Sequence, residues 1–180
     1  MDPFLTLGLA RRYDLDEAEL ERRYRDLQRT LHPDRHIQAA PAERRMKLQK
    51  AVEVNEAYRT LRDAQRRAEA LLAALSGEAG VPVVDPSEKA DPELLMEMME
   101  LRESLSEAKA SRDAAEVAKL SKRVTTDRDE ARGRLTRAFA ALPEPPPAEA
   151  LVPIRAMISR LKYYQRFLDE VAVFEDEALS

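Results

Sequence analysis

Apolar side chains recur every three or four positions along most of this chain, a period that predicts α-helices rather than strands. The first long helix is expected from Asp16 to about Leu31. Asp16 and Glu19 have the spacing of a capping box, and Pro33 cannot continue a helix. The apolar stripe of this helix consists of Leu20, Tyr24, Leu27 and Leu31.

A second helix is expected from Pro41, which suits a first helical turn, to about Arg62. Its apolar positions are Met46, Val54, Tyr58 and Leu61. Two amphipathic helices joined by a short loop form an antiparallel hairpin. Residues 3 to 12 are expected to add a small helix or turn that covers this core.

Asp63 is expected to cap a further helix that ends at Ser76 and Gly77. The apolar residues of that helix are Ala68, Leu71, Leu72 and Leu75. Residues 77–91 then carry Gly80, Pro82 and Pro86 without helical periodicity, which is typical of a linker.

The remainder of the chain predicts three more helices. The first begins at Pro92, and the run of prolines after Leu142 separates the second from the third. Their inward positions are expected to be Leu94, Met98, Leu101 and Leu105; Val117, Leu120, Val124, Ala131, Leu135, Ala138 and Leu142; and Leu151, Ile154, Ile158, Leu161 and Leu168. The prediction is therefore an all-α protein with residues 1–76 as one domain, 77–91 as a linker and 92–180 as an antiparallel three-helix bundle.

Composition narrows the possible functions. The 180 residues include no cysteine, which excludes disulfides and thiolate metal sites, and we expect no cofactor. A net charge of −4 does not favour nucleic-acid binding. Residues 1–75 carry 15 Lys and Arg against 13 Asp and Glu, and the rest carries 15 against 21. The sequence shows no apolar run long enough for a signal or membrane helix, so we expect a cytoplasmic protein with no membrane partner.

The loop after the first long helix contains His32, Pro33 and Asp34. Pro33 stiffens the loop and Asp34 offers a carboxylate, a geometry suited to docking on a partner. Three arginines fall on the helix face opposite its apolar stripe: Arg22, Arg25 and Arg29. They form either a docking face or an ordinary solvated surface.

Three other interpretations of this loop are open. Proline and aspartate are common in ordinary turns. A metal could bind His32, Asp34 and His36, although a fourth protein ligand is lacking. His32 and Asp34 could act as base and orienter in an enzyme, but no nucleophile accompanies them.

The helix that begins at Pro92 is apolar beyond its core stripe. Met96, Glu100, Glu103 and Glu107 lie roughly opposite that stripe, and Leu95 and Met99 lie between the two faces. Phe167 and Tyr163 fall off the stripe of the last helix, which favours exposed aromatic side chains. An apolar patch bordered by carboxylates suggests a binding surface, with scattered or core residues as the alternative.

The first half of the chain resembles a J-domain: an amphipathic basic helix, the His32-Pro33-Asp34 loop, and a helix that ends in residues 54–61, VNEAYRTL. The whole chain resembles the HscB family of co-chaperones. That resemblance rests on the start MDPF, on residues 67–72, RAEALL, and above all on LME at 95–97 and ELRE at 100–103.

The resemblance implies a protein that delivers the iron–sulfur scaffold protein IscU to the DnaK-type chaperone HscA and stimulates its ATPase, without being an enzyme itself. It implies an L-shaped arrangement of the two domains. A general J-domain adaptor with another client is the alternative. The implied chaperone-binding residues are His32, Pro33, Asp34, Arg22, Arg25 and Arg29. The implied scaffold-binding residues are Leu95, Met96, Met99, Glu100, Glu103, Glu107 and Phe167.

Overall fold

The computed structural model describes residues 1–32, 40–80 and 91–178, and within these ranges it contains α-helices and no strand. The all-α prediction is thereby confirmed. The helices are α1 (Pro3–Leu7), α2 (Glu17–Leu31), α3 (Pro41–Arg62), α4 (Ala64–Ala79), α5 (Pro92–Ser111), α6 (Ala114–Ala140) and α7 (Ala148–Ala178). The chain divides into two compact units, residues 1–78 and 79–180.

The start of the first unit is a small capped helix, as predicted. Asp2 caps α1, and its Oδ1 accepts hydrogen bonds from the backbone N–H groups of Phe4 at 2.8 Å and Leu5 at 3.3 Å. Gly8 ends the helix in the left-handed conformation, with φ of 66°. The buried side chains that this segment contributes to the core are Phe4, Leu7, Leu9 and Tyr13.

The predicted hairpin is formed by α2 and α3. Asp16 caps α2, with Oδ1 accepting from the N–H of Ala18 at 2.9 Å and that of Glu19 at 3.3 Å. The buried residues of the pair are Leu20, Leu31, Val54, Ala57 and Leu61. Met46 was predicted to face inward, and this was wrong: its side chain is 72% exposed. Met46 lies two turns before Val54, and it falls about 80° away from the buried line of α3.

Helix α4 is longer than predicted. Asp63 accepts a hydrogen bond from the N–H of Arg66 at 2.8 Å, so the predicted cap is confirmed. The helix does not end at Ser76 and Gly77 but continues to Ala79. Ser76 is buried, and Glu78 in the exposed turn that follows forms an ion pair with Arg11, a contact that the low helix propensity of Gly77 does not represent. The domain boundaries at 76 and 91 stay predictions, because residues 81–90 of the segment lie outside the described residues.

The second unit consists of α5, α6 and α7. All four predicted inward residues of α5 are buried, as are most of those of α6. At the end of α6 the buried residue is Phe139 rather than Ala138, and Leu142 is only half-buried. An aromatic ring buries more apolar area than a methyl group, so Phe139 takes the inward position.

Helix α7 buries a face that changes along its length. Its buried residues are Leu151, Ile154, Ile158, Leu161, Tyr164, Phe167 and Val171. Three successive steps of three residues carry this line backward around the helix by about 60° each. From Arg160 onward α7 contacts α5 and its N-cap through Arg160, Tyr164 and Glu170. The prediction of Leu168 as inward was therefore wrong, because it assumed one fixed face; Leu168 is half-buried.

Candidate functional site

The chaperone-binding loop is described only at its first residue. His32 follows the last residue of α2, with φ of −58° and ψ of 131°, and its side chain is exposed. Pro33, Asp34 and the alternative metal ligand His36 lie outside the described residues. The prediction that His32, Pro33 and Asp34 form the stimulating loop therefore stays a prediction.

The three predicted docking arginines share the exposed face of α2. The side chains of Arg22, Arg25 and Arg29 are 67%, 65% and 72% exposed. Each has an acidic partner in its own helix: Arg22 lies 3.8 Å from Glu19, Arg25 lies 2.8 Å from Glu21, and Arg29 lies 3.5 Å from Asp26. Exposed pairs of this kind are each worth about 0–1 kcal/mol. The guanidinium groups can therefore exchange these carboxylates for those of a partner at little cost.

A cluster of aromatic and amide side chains joins α2 to α3, and the apolar period of the sequence does not predict it. The rings of Tyr24 and Tyr58 stack with centroids 3.9 Å apart. The Tyr24 hydroxyl donates to Asn55 Oδ1 at 3.0 Å, and Gln28 Nε2 donates to the same oxygen at 2.7 Å. The apolar stripes predict Tyr24 and Tyr58 as core residues. Both are half-buried, so their hydroxyl groups reach hydrogen-bond partners.

Glu21 joins this cluster to the arginine face. The Tyr58 hydroxyl donates a hydrogen bond to Glu21 Oε2, while Arg25 holds the other carboxylate oxygen. The hydrogen bond from Tyr58, followed by that from Arg25, holds the pKa of Glu21 below its usual value. The same bond raises the pKa of Tyr58. The position of Arg25 is thereby linked to the packing of α2 on α3.

The predicted apolar patch on α5 is exposed. Leu95, Met96 and Met99 are 38%, 64% and 72% exposed, whereas the neighbouring Leu94 and Met98 are 2% and 3% exposed. Three apolar side chains within five residues of one helix therefore face solvent. We call Leu95, Met96 and Met99 the α5 patch.

A row of carboxylates continues from the α5 patch along the same helix. Glu100, Glu103 and Glu107 are exposed, and none of them makes an ion pair with any residue that the structure describes. The acidic residues of α2 differ, since they hold arginines of their own helix. The charge of the α5 row is therefore available to a basic partner surface.

Phe167 does not join this surface. The prediction of an exposed aromatic was wrong, because the Phe167 side chain is fully buried at 0% exposure, and Tyr163 is half-buried. Phe167 occupies the inward line of α7 three residues after Tyr164, where the drift of the buried face places it. It can support the bundle but cannot contact a partner without rearrangement.

A polar cluster between α5 and α7 was not identified from the sequence. Arg160 Nη2 donates to Asp91 Oδ2 at 2.9 Å, and Nη1 donates to Glu97 Oε2 at 3.4 Å. The Tyr164 hydroxyl donates to Glu97 Oε1 at 3.2 Å. The hydrogen bond from Arg160 lowers the pKa of Asp91, and burial raises the pKa of Tyr164. We call Asp91, Glu97, Arg160 and Tyr164 the α5–α7 cluster.

The described residues also bear on metal binding and on membrane insertion. Within residues 1–32, 40–80 and 91–178, no group of three or more His, Asp or Glu side chains is placed to hold a metal ion. None of the described helices is both long and apolar enough to span a membrane.

Comparison with known proteins decides the family. Residues 2–70 match the model of the DnaJ domain, and residues 90–172 match that of the HSCB C-terminal oligomerisation domain. The co-chaperone protein HscB homolog of Bordetella petrii is 42% identical over 135 residues, which span 74% of this chain and 76% of that protein. The chain belongs to the HscB co-chaperone family.

Solved HscB structures agree with this fold. HscB from Vibrio cholerae superposes with a TM-score of 0.77 at 31% identity, covering 98% of this chain and 99% of that one. Human HscB gives a TM-score of 0.80 at 23% identity over 97% of this chain and 82% of that one, a likeness of fold alone. An N-terminal J-domain followed by a helical C-terminal domain is therefore confirmed.

Family membership carries a co-chaperone role. The J-domain implies a DnaK-type chaperone as partner. A role in iron–sulfur cluster assembly follows from the HscB family, whose relatives are named as co-chaperones rather than enzymes.

Proposed function

We propose that this HscB protein brings the scaffold protein IscU to the chaperone HscA, stimulates the ATPase of HscA and so supports cluster transfer. The observation that carries this proposal is the α5 patch, three exposed apolar side chains followed by three carboxylates that form no ion pair with the residues that the structure describes. It lies on the C-terminal unit, whereas the DnaJ-type residues lie on the other. One molecule can therefore offer two separate contacts.

The contact with the chaperone is assigned to the first unit. His32, Pro33 and Asp34 are proposed as the stimulating loop, with Arg22, Arg25 and Arg29 on the exposed face of the preceding helix. A guanidinium forms bidentate hydrogen bonds with a carboxylate, so the docking face of the chaperone is expected to be acidic.

The contact with the scaffold is assigned to the α5 patch and its carboxylate row. Met96 and Met99 have flexible, polarisable side chains that adapt to an apolar partner surface. Burial of the three apolar side chains supplies affinity, at roughly 25 cal/mol per Å² of apolar area removed from water. Glu100, Glu103 and Glu107 add selectivity for a partner with basic groups beside its apolar surface.

A protein that holds the scaffold and the chaperone at the same time raises the local concentration of the scaffold near the chaperone. A scaffold held on one unit is present near the docked chaperone at an effective concentration in the millimolar range, set by the connection between the units. The division of the chain into residues 1–76, a linker at 77–91 and residues 92–180 is part of this proposal.

The test is ATP hydrolysis by HscA with this protein and IscU, added separately and together. Synergy between the two is expected for the wild-type chain. A variant with both Met96→Ala and Met99→Ala is expected to bind IscU at least tenfold more weakly in calorimetry and to lose the synergy. The stimulation by the co-chaperone alone is expected to persist.

Two single variants control for the loss of a methionine. Met46→Ala removes a side chain equally exposed but on the other unit, and we expect unchanged binding. Met98→Ala removes a buried side chain next to the patch and is expected to lower the free energy of unfolding by about 2–5 kcal/mol.

Wild-type IscU affinity in the double variant would reject the assignment of the patch to the scaffold. Synergy with a different client instead would favour a general J-domain adaptor.

A further inference from the structure

Arg160 binds two acidic residues at the start of α5, one before and one after Leu95 and Met96 in the sequence. Its Nη2 donates to Asp91 at 2.9 Å, and its Nη1 donates to Glu97 at 3.4 Å. Asp91 is also the N-cap of α5, since its Oδ1 accepts from the N–H of Glu93 at 3.0 Å. One side chain of α7 therefore holds both the cap and the second turn of α5.

Tyr164 also joins α7 to α5. Its side chain is 2% exposed, and its hydroxyl donates to Glu97 while accepting from Arg160 at 3.4 Å. Glu97 is thus held by two groups of α7, one charged and one neutral. The other charged groups that face α7 from α5 lie farther along, where Lys109 pairs with Glu170 at 3.2 Å. The α5–α7 cluster is the polar contact at the start of α5.

These pairs differ from those on the exposed face of α2. The side chains of Arg160 and Glu97 are only 28% and 25% exposed, so water screens their attraction less than that of the exposed α2 arginines, while Asp91 is 43% exposed. Burial opposes the charge on Arg160, but its hydrogen bonds with Asp91 and Tyr164 prevail and raise its pKa. These contacts hold the guanidinium between the two carboxylates.

The first turn of a helix needs such a contact, because its backbone N–H groups lack partners within the helix and its end frays. Leu94 and Met98 attach α5 to the bundle, but apolar contacts have little directional preference and allow a helix to rotate. A guanidinium that reaches two carboxylates six residues apart fixes the rotation of the helix, because both carboxylates move when it turns.

We propose that Arg160 is a positioning residue for partner binding: through Asp91 and Glu97 it sets the rotation of the first two turns of α5, so that Leu95, Met96 and Met99 face solvent as one patch. This inference rests on the proposed function, because it assigns the patch to the scaffold. It adds a residue that does not itself belong to the binding surface.

The test uses the full chain with its methionine methyl groups labelled with ¹³C for NMR. Arg160→Leu keeps part of the apolar stem, removes the hydrogen-bond donors and adds no methionine, and Arg160→Lys restores the charge. In Arg160→Leu we expect the methyl signals of Met96, Met98 and Met99 to shift together, because all three lie on the second turn of α5, while that of Met46 on the other unit stays in place. IscU affinity is expected to fall about three- to tenfold, and Arg160→Lys is expected to recover part of it.

Glu97→Gln provides the second variant, because it weakens the same contact from the side of α5. It is expected to move the methyl signals of Met96, Met98 and Met99 in the same direction. Unchanged signals and affinity in both variants would overturn the inference. Shifted methyl signals with unchanged IscU affinity, or a loss of affinity that Arg160→Lys does not reduce, would also overturn it, because Arg160 would then only stabilise the bundle. Failure of the wild-type chain to bind IscU would instead reject the proposed function, while the methyl signals would still test the positioning.

Discussion

Gly133 lies in the middle of α6, where glycine costs a helix up to about 1 kcal/mol relative to alanine. A Cβ at this position would meet only Nη1 of Arg137, at 3.6 Å, which is ordinary contact with the end of a flexible side chain. Gly133→Ala is therefore expected to raise the free energy of unfolding of the second unit by about 0.5–1 kcal/mol. Amide hydrogen exchange of α6 measures the change.

Gly8 is the matched control for that substitution, because its φ of 66° is one that side chains with a Cβ rarely adopt. Although open space surrounds it, Gly8→Ala is expected to lower the stability of the first unit by about 1–2 kcal/mol. A stabilising Gly8→Ala, or a destabilising Gly133→Ala, would contradict the conformational account of both glycines.

Individual residues show where the sequence was sufficient and where it was not. Leu94, Met98, Leu101 and Leu105 follow one fixed period, and all four are buried as predicted. Phe167 was predicted to be exposed, because a fixed stripe cannot represent a helix whose neighbours change along its length. The α5–α7 cluster joins residues about 70 positions apart through side-chain reach, which the period of one helix does not encode.

At the scale of elements, the α2–α3 hairpin depends on a contact between the buried stack and the exposed arginine face. The Tyr58 hydroxyl holds Glu21 and keeps its pKa low. A carboxyl group whose pKa is lower in the folded state stabilises the fold above its unfolded pKa, and this contribution is lost as the pH falls through the folded value. The hairpin is therefore expected to lose stability in acid, below about pH 4.5.

Tyr58→Phe tests this coupling, because it keeps the stacked ring and removes only the donor. We expect lower stability of the first unit at pH 7 and a shallower decline between pH 5 and pH 3, measured by urea unfolding at each pH. Tyr163→Phe is the control: it is also half-buried, and its hydroxyl makes no hydrogen bond with any described residue. An unaltered acid profile in Tyr58→Phe would show that Glu21 does not depend on this bond.

The elements themselves were largely predictable. The caps at Asp16 and Asp63, the start at Pro92 and the break after α6 all match local sequence signals. The end of α4 did not follow such a signal: the helix continues past Gly77 to Ala79, and Glu78 in the added turn pairs with Arg11. A contact between residues 67 positions apart is not represented in the local sequence.

At the scale of the whole molecule, the proposed chaperone and scaffold sites lie on separate units, so a substitution in one should leave the function of the other intact. Asp34→Asn removes a charge with little change of volume, and we expect it to abolish stimulation of the HscA ATPase while IscU affinity stays within twofold of wild type. Asp14→Asn, an exposed substitution on the same unit, is the control and is expected to preserve both. Retained stimulation by Asp34→Asn would reject the assignment of the loop.

The arginine face of α2 and the carboxylate row of α5 differ in the distance over which their charges act. The arginines of α2 sit beside carboxylates of their own helix, so their fields cancel within a few ångströms. Glu100, Glu103 and Glu107 form no ion pair with any described residue, so their field is neutralised less completely and acts over about 8 Å at physiological ionic strength. We therefore expect a basic client to be attracted before it touches the protein, and an acidic chaperone surface to be recognised at contact. The salt dependence of the two association rates would show this order of encounter.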